Sequence, residues 1–184
     1  MVRIESEPGF VLHSYPYRDT SLIVDVLTQR YGRVSLMARS ARGYKSRFQG
    51  KLQLFSPLSL SYAGRSELKN LRAVEFAARP FDLQAKNLMC GFYLNELLYR
   101  LLRTEEPATD LFHAYQHTLQ ALNDVNTVQS SLRYFELLLL QELGYGLNLY
   151  TDANTNDAIE KGMHYAFTLQ LGFHESLGIE NRFT

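Results

Sequence analysis

Five basic side chains and no acidic one fall within residues 38–55, ARSARGYKSRFQGKLQLF: Arg39, Arg42, Lys45, Arg47 and Lys51. Tyr44 and Phe48 are set among them. A surface that needs charge only for solubility can mix both signs. A polyphosphate partner rewards one sign, because every neutralised phosphate releases a condensed counterion. An exposed aromatic beside such cations offers a face on which an unpaired base stacks, worth about 1–3 kcal/mol. Tyr44, between Gly43 and Lys45, is expected at the surface, whereas Phe48 fits either a stacking face or the plug of a core. The acid-free window is wider than this segment. Between Asp25 and Glu67 stand eight basic residues, the five above with Arg30, Arg33 and Arg65. The expected nucleic-acid contact set is Arg33, Arg39, Arg42, Tyr44, Lys45, Arg47 and Lys51. No groove-entering recognition helix accompanies it, so sequence-specific readout is not expected.

The formal net charge of the 184 residues is zero, but the charge is not evenly spread. Residues 1–79 hold 13 Lys and Arg against 6 Asp and Glu, a net +7. Residues 80–184 hold 6 against 13, a net −7. A polyanion partner is expected for the first half.

Other chemistry is sparse. There is no Gly-x-Ser-x-Gly elbow and no Gly-x-x-x-x-Gly-Lys phosphate loop. His113 and His117 are four apart, as zinc ligands can be, but no third ligand follows in a recognised pattern. Cys90 is the single cysteine, which excludes an intramolecular disulfide and a cysteine-rich metal site, and it reads as a packed residue. No carboxylate cluster sits beside the basic stretch, which argues against a nuclease. The expectation is a protein that is not an enzyme, with no cofactor or metal. The N-terminus lacks the apolar core of a secretory signal, and the Leu137 to Leu140 run is too short to span a bilayer. A cytoplasmic protein without a membrane partner is the simplest reading.

The elements that must position the cations change character near residue 80. Before it, short β-rich runs dominate: GFVLHSY, SLIVDVLTQ, RVSLMARSA, KLQLFSPLSLSY and LKNLRAVEFAA. Val34, Leu36 and Ala38 alternate with Arg33, Ser35 and Met37, the period of a half-buried strand. Pro57 interrupts the fourth run, and KLQLF before it reads as a strand entering the core. Five short strands without helical crossovers predict a small closed or nearly closed barrel, SH3-like or OB-type, and argue against a parallel sheet.

After residue 80 the period becomes helical. Leu94, Leu97, Leu98, Leu101 and Leu102 recur on one face of a first helix. A second carries Phe112, Tyr115, Leu119 and Leu122, with Thr109 as its expected N-cap. A third carries Val128, Leu132, Phe135 and Leu139. Leu137, Leu138 and Leu140 widen that stripe, so this helix is expected to be central and buried nearly all round. A polar loop, DANTNDAIEKG, precedes a segment with β character around Tyr165, Phe167 and Leu169. The predicted organisation is α+β: a barrel over residues 1–80, then a helical domain over 81–184.

The run from GFVLHSYPYRDT to KLQLFSPLSL, with YLNELLYRLL and LRYFELLLLQELGYGLNL, resembles the RecO family of bacterial DNA repair proteins. The resemblance extends from Gly9 to about Tyr150. It implies an OB-fold of five strands followed by helices. It implies a recombination mediator that binds single- and double-stranded DNA and anneals complementary strands without ATP. It also implies work with RecR to load RecA onto DNA coated by single-stranded DNA-binding protein. The family's basic Ala-Lys-Gly-Ala-Arg segment falls on residues 38–42, with Ser40 in the glycine position, which puts in question any positive φ there. Its Leu-Gln-Pro-Phe falls on residues 52–55, with Leu54 replacing the proline. The four-cysteine zinc module of some members has no counterpart. Family chains run further, through helices that tend to be basic, so a shortened version is expected. Related members grip the acidic C-terminal tail of single-stranded DNA-binding protein with an arginine that falls on Arg133. Leu137 and Leu140 share its helix face and are expected to line a pocket for the tail's terminal Phe. Arg133 is the one Lys or Arg between Arg103 and Lys161. An ion pair with Glu136 is the competing reading.

Overall fold

Alternation along Gly32–Ala38 works as the pattern requires: Val34, Leu36 and Ala38 are fully buried, while Arg33, Ser35 and Met37 are only partly covered. The computed structural model describes residues 2–124, 127–169 and 171–176. Its first five strands are β1 (Val2–Tyr17), β2 (Ser21–Thr28), β3 (Gly32–Ala38), β4 (Leu58–Gly64) and β5 (Leu68–Phe76). They close into a barrel in the order β1-β2-β3-β5-β4. β1 pairs with both β2 and β4, and two register shifts, between Ile4 and Glu7 and between Val11 and His13, let this long strand bend around both neighbours. The result is a five-stranded Greek-key barrel of the OB type.

One pairing of the barrel is parallel, and one expected strand is absent. β3 and β5 run parallel over Ser35–Met37 and Leu68–Asn70, because the chain crosses the barrel end through residues 39–57 before β4 begins. Residues 51–55 form no strand. Leu54 makes an isolated bridge to Val11, and Phe55 takes a φ of 57°, which turns the chain and sends its ring out of the barrel toward the helices.

The helices are α1 (Ala85–Leu101), α2 (Thr109–Ala121) and α3 (Val128–Glu142). Their shared core reaches onto the outside of the barrel, where Phe10, Leu12 and Leu27 join Leu94, Leu98, Leu111, Tyr115 and Phe135. The barrel has its own interior of Val11, Val24, Val26, Leu58, Leu60, Tyr62 and others. Gly91 permits the contact between them: a Cβ there would stand 2.9 Å from the Phe55 ring.

The seam is also polar. Buried Asn95 donates to the Leu12 carbonyl (3.1 Å) and the Val11 carbonyl (3.4 Å) and accepts from the Tyr115 hydroxyl (2.5 Å). The link between α1 and α2 lies along β3, where the Glu105 N–H donates to the Arg33 carbonyl at 2.8 Å. Gly32, at φ 62°, meets this link so closely that a Cβ would fall 1.8 Å from the Glu106 carbonyl oxygen. Thr109 is not the N-cap. Ala108 holds that position, and the Thr109 hydroxyl donates to the Gln29 carbonyl of the barrel at 3.1 Å.

α3 is less buried than its leucines predict. Only Phe135 and Leu139 are fully covered, because α3 packs against α2 along one stripe, leaving Arg133 and Tyr134 exposed and Leu137 and Leu140 half-buried. The chain continues into a hairpin of β6 (Tyr165–Thr168) and β7 (Gly172–Glu175). Leu169 stands in its turn, 93% exposed, rather than in a strand. Asp152 organises the loop before the hairpin, accepting from the N–H groups of Asn154 (2.7 Å), Thr155 (3.1 Å) and Glu175 (2.5 Å).

Candidate nucleic-acid interface

The acid-free cations gather mainly on the β3–β4 connection, and its backbone is folded rather than slack. Successive tight turns are closed by Gly43 N–H to Ser40 O, Ser46 N–H to Gly43 O, Gln49 N–H to Ser46 O and Lys51 N–H to Phe48 O, each at 3.0–3.1 Å. Ser40 takes the left-handed conformation, φ 57°, despite its side chain. That conformation costs a non-glycine residue about 1–3 kcal/mol, which the surrounding turns must offset. Phe48 supplies the anchor: 3% exposed, it plugs the barrel interior beside Val24, Val26 and Val34. Its alternative as a stacking face is closed.

With Phe48 turned inward, its neighbours face water. Tyr44 is 92% exposed. Arg39, Lys45 and Arg47 are exposed and line a shallow open groove with Ser40, Gly43 and Ser46. Arg39 and Lys45 have no ion-pair or hydrogen-bond partner among the described residues, and the Arg47 guanidinium lies 4.7 Å from the Phe48 ring centroid. Their charge is unspent.

The other three expected cations are committed. Arg42 fastens the connection to the β1–β2 turn: its N–H donates to the Thr20 carbonyl at 2.8 Å, and its guanidinium donates to the carbonyls of Arg18 and Asp19. Lys51 holds both carboxylate oxygens of Glu75 at 3.0 Å. Arg33 points into the seam. It donates to the Leu102 carbonyl at 3.0 Å, stands 3.7 Å from Asp25 and lies over the Tyr99 ring at 5.5 Å. The structure thus brings Arg39, Lys45 and Arg47 together, leaves Tyr44 exposed on the same connection, keeps Arg42 and Lys51 beside them as struts, and sets Arg33 apart.

One cation was not expected here. Arg18 is exposed in the β1–β2 turn, adjoining the connection through the Arg42 clasp, and covers the Tyr17 ring at 5.3 Å. Asp19 and Asp25 kept it outside the acid-free window. On the outer side of the same barrel wall, Tyr15 is half-exposed. Partial burial first, then the nearby Asp25 carboxylate, raises its hydroxyl pKa above the ordinary value.

The second expected site lies on α3. Arg133 is exposed and pairs with Glu136 at 2.7 Å, and the Tyr93 hydroxyl of α1 donates to the same carboxylate oxygen at 2.7 Å. Leu137 and Leu140 follow one and two turns on from Arg133, half-buried. The ion pair with Glu136 is therefore formed, on a surface that leaves most of the Arg133 side chain accessible. His113 bonds Gln29 at 3.2 Å, and no group of three metal-binding side chains occurs among the described residues. Cys90 packs half-buried against the helical core. No described helix is long and apolar enough to cross a membrane.

Residues 1–79 match the family described as Recombination protein O N terminal, and residues 83–177 match Recombination protein O C terminal. A DNA repair protein RecO of Coxiella burnetii (strain RSA 493) is 49% identical over 171 residues, covering 93% of this chain and 74% of that protein. The RecO of Nitrosospira multiformis is 44% identical, covering 92% of this chain and 70% of its own length. That of Shigella flexneri is 42% identical, with coverages of 95% and 72%.

Proposed function

The chain belongs to the recombination protein O family, a family of non-enzymatic recombination mediators, and on that premise we propose that its β3–β4 connection is the surface that holds DNA. The observation that carries this is the exposed set Arg39, Tyr44, Lys45 and Arg47, free of acidic partners and fixed in place by buried Phe48. The cations meet the phosphates of single or double strands, and Tyr44 stacks on an unpaired base. Two strands brought to such surfaces lose much of their mutual repulsion, so complementary sequences anneal without ATP. The cytoplasm, where the DNA lies, is the proposed compartment.

The helical half is proposed to serve protein partners. Arg133 exchanges Glu136 for the carboxylates of the C-terminal tail of single-stranded DNA-binding protein, with Leu137 and Leu140 against the tail's terminal Phe. RecR acts with the chain, and RecA is loaded as the indirect outcome. The test reverses charge at Arg39, Lys45 and Arg47 to Glu. Anisotropy with labelled single-strand and duplex oligonucleotides is expected to show binding abolished, and strand annealing lost with it. Unchanged binding would reduce the chain to a protein adaptor whose DNA contact is incidental.

A further inference from the structure

Beyond the basic connection, the outer face of β1 carries aromatic rings at every second position: His13, Tyr15 and Tyr17. The register places them opposite Asp25, Ile23 and Ser21 of β2, away from the barrel interior. At one end Arg18 covers Tyr17, beside the turn that Arg42 ties to the connection. Toward the other end the rings approach one another. His13 stands 5.9 Å from Tyr15 and 4.9 Å from Tyr99 of α1, at interplanar angles of 34° and 35°.

Past His13 a cavity of about 440 Å³ opens between β1 and α1. Its aromatic walls are His13, Phe92 and Tyr99, and its polar groups are Ser14, Asn95, Glu96 and Arg100. Glu96 and Arg100 pair at 2.5 Å with both side chains mostly exposed, so each is within reach of a ligand. A carboxylate accepts from the amino groups of a base, and a guanidinium donates to its ring nitrogens and carbonyl oxygens. Flat rings for stacking, with a donor and an acceptor at the rim, fit a single nucleobase.

We propose that this cavity receives one unpaired base of a strand held by the β3–β4 connection, with Tyr17, Tyr15 and His13 forming the stacking track that leads to it. The inference rests on the reading that the connection binds DNA, and it adds a basis for preferring single strands. Charges on the connection meet the phosphates of either form, but duplex DNA offers no free base to the cavity.

Oligothymidylate carrying 2-aminopurine at successive single positions tests it, alongside anisotropy with unsubstituted oligothymidylate and with duplex. Wild type is expected to quench 2-aminopurine most strongly at one position. His13→Ala, on the exposed strand face, and Tyr99→Ala are each expected to remove that quench and weaken single-strand binding by ~5-fold to ~150-fold. Duplex affinity stays within about 2-fold of wild type, since no stacking contact is lost there. Tyr99→Phe, which keeps the ring, retains both properties. If both alanine variants keep the quench and the affinity while the Arg39, Lys45 and Arg47 reversal loses all binding, the base pocket is wrong and the connection stands. If the reversal also binds normally, the reading beneath it fails.

Discussion

Asn95→Ala is the sharpest probe of how the barrel and the helices are held together. Asn95 is 3% exposed and bonds two β1 carbonyls across the seam and the Tyr115 hydroxyl of α2. Leu12, whose carbonyl is the nearer acceptor on β1, lies at the register shift and faces no residue of β2. Removing the amide leaves the Leu12 carbonyl and the Tyr115 hydroxyl buried, and each such orphan costs about 1–3 kcal/mol. A loss of about 2–6 kcal/mol is therefore expected. At this chain length each kcal/mol is worth about 2–4 °C in Tm, so the melt should fall by roughly 4–24 °C. Tyr115→Phe removes one bond only and orphans the Asn95 amide oxygen, at about 1–3 kcal/mol. Because the two residues share a bond, the double variant should cost less than the sum of the singles, by about 0.5–3 kcal/mol. Urea unfolding of the four proteins measures the cycle. A Tm for Asn95→Ala within a degree of wild type, with additive single effects, would refute the reasoning.

Other consequences follow from single contacts. Gly32→Ala combines an unfavourable positive φ with a clash against the Glu106 carbonyl, so it should destabilise by more than 2 kcal/mol, on the order of a severe backbone substitution, in the same urea assay. Arg133→Ala should weaken capture of a peptide copying the tail of single-stranded DNA-binding protein by roughly 10-fold or more, the worth of a charged hydrogen bond, while DNA affinity holds. Fluorescence anisotropy with labelled peptide and labelled DNA decides it. Burial opposes ionisation of Asp152, but the N–H groups of Thr155, Asn154 and Glu175 outweigh it and hold its pKa below the ordinary value. A lowered carboxylate pKa contributes stability that is full above about pH 3.9 and disappears as pH falls through the lowered pKa. The hydrogen-exchange protection of the Glu175 amide, relative to its intrinsic rate, should therefore hold at neutral pH and fall only in strong acid, and Asp152→Ala should remove it at neutral pH while differing little from wild type once that carboxylate is protonated.

Much of this was legible in the sequence because periodicity reports which face of an element is buried. Val34, Leu36 and Ala38 announced β3, and Leu94 and Leu98 announced α1. What periodicity cannot report is a partner distant in the chain. Lys51 and Arg39 look alike in sequence, yet Lys51 is neutralised by Glu75 and Arg39 is free. Arg33 belongs to the same acid-free window, but Leu102 and Tyr99 draw it into the seam. Thr109 has the side chain of an N-cap and spends it on Gln29. The leucines of α3 predicted burial all round, whereas its packing, mainly against α2, covers one stripe. Phe48 and Tyr44 show the limit most plainly. Two aromatics four residues apart among the same cations end with one at 3% exposure and the other at 92%, because the turns between them reverse the chain.

The most direct test of the central claim is the affinity of the chain for an oligothymidylate across a salt series, measured for wild type and for Arg39→Ala, Lys45→Ala and Arg47→Ala combined. Each phosphate contact contributes about −0.7 to the slope of log affinity against log salt for single strands, so removing three should make the slope shallower by about 2. A steep wild-type slope that flattens by that amount is the expected result. A wild-type affinity indifferent to salt, or an unaltered slope in the triple variant, would contradict the assignment of DNA to the β3–β4 connection.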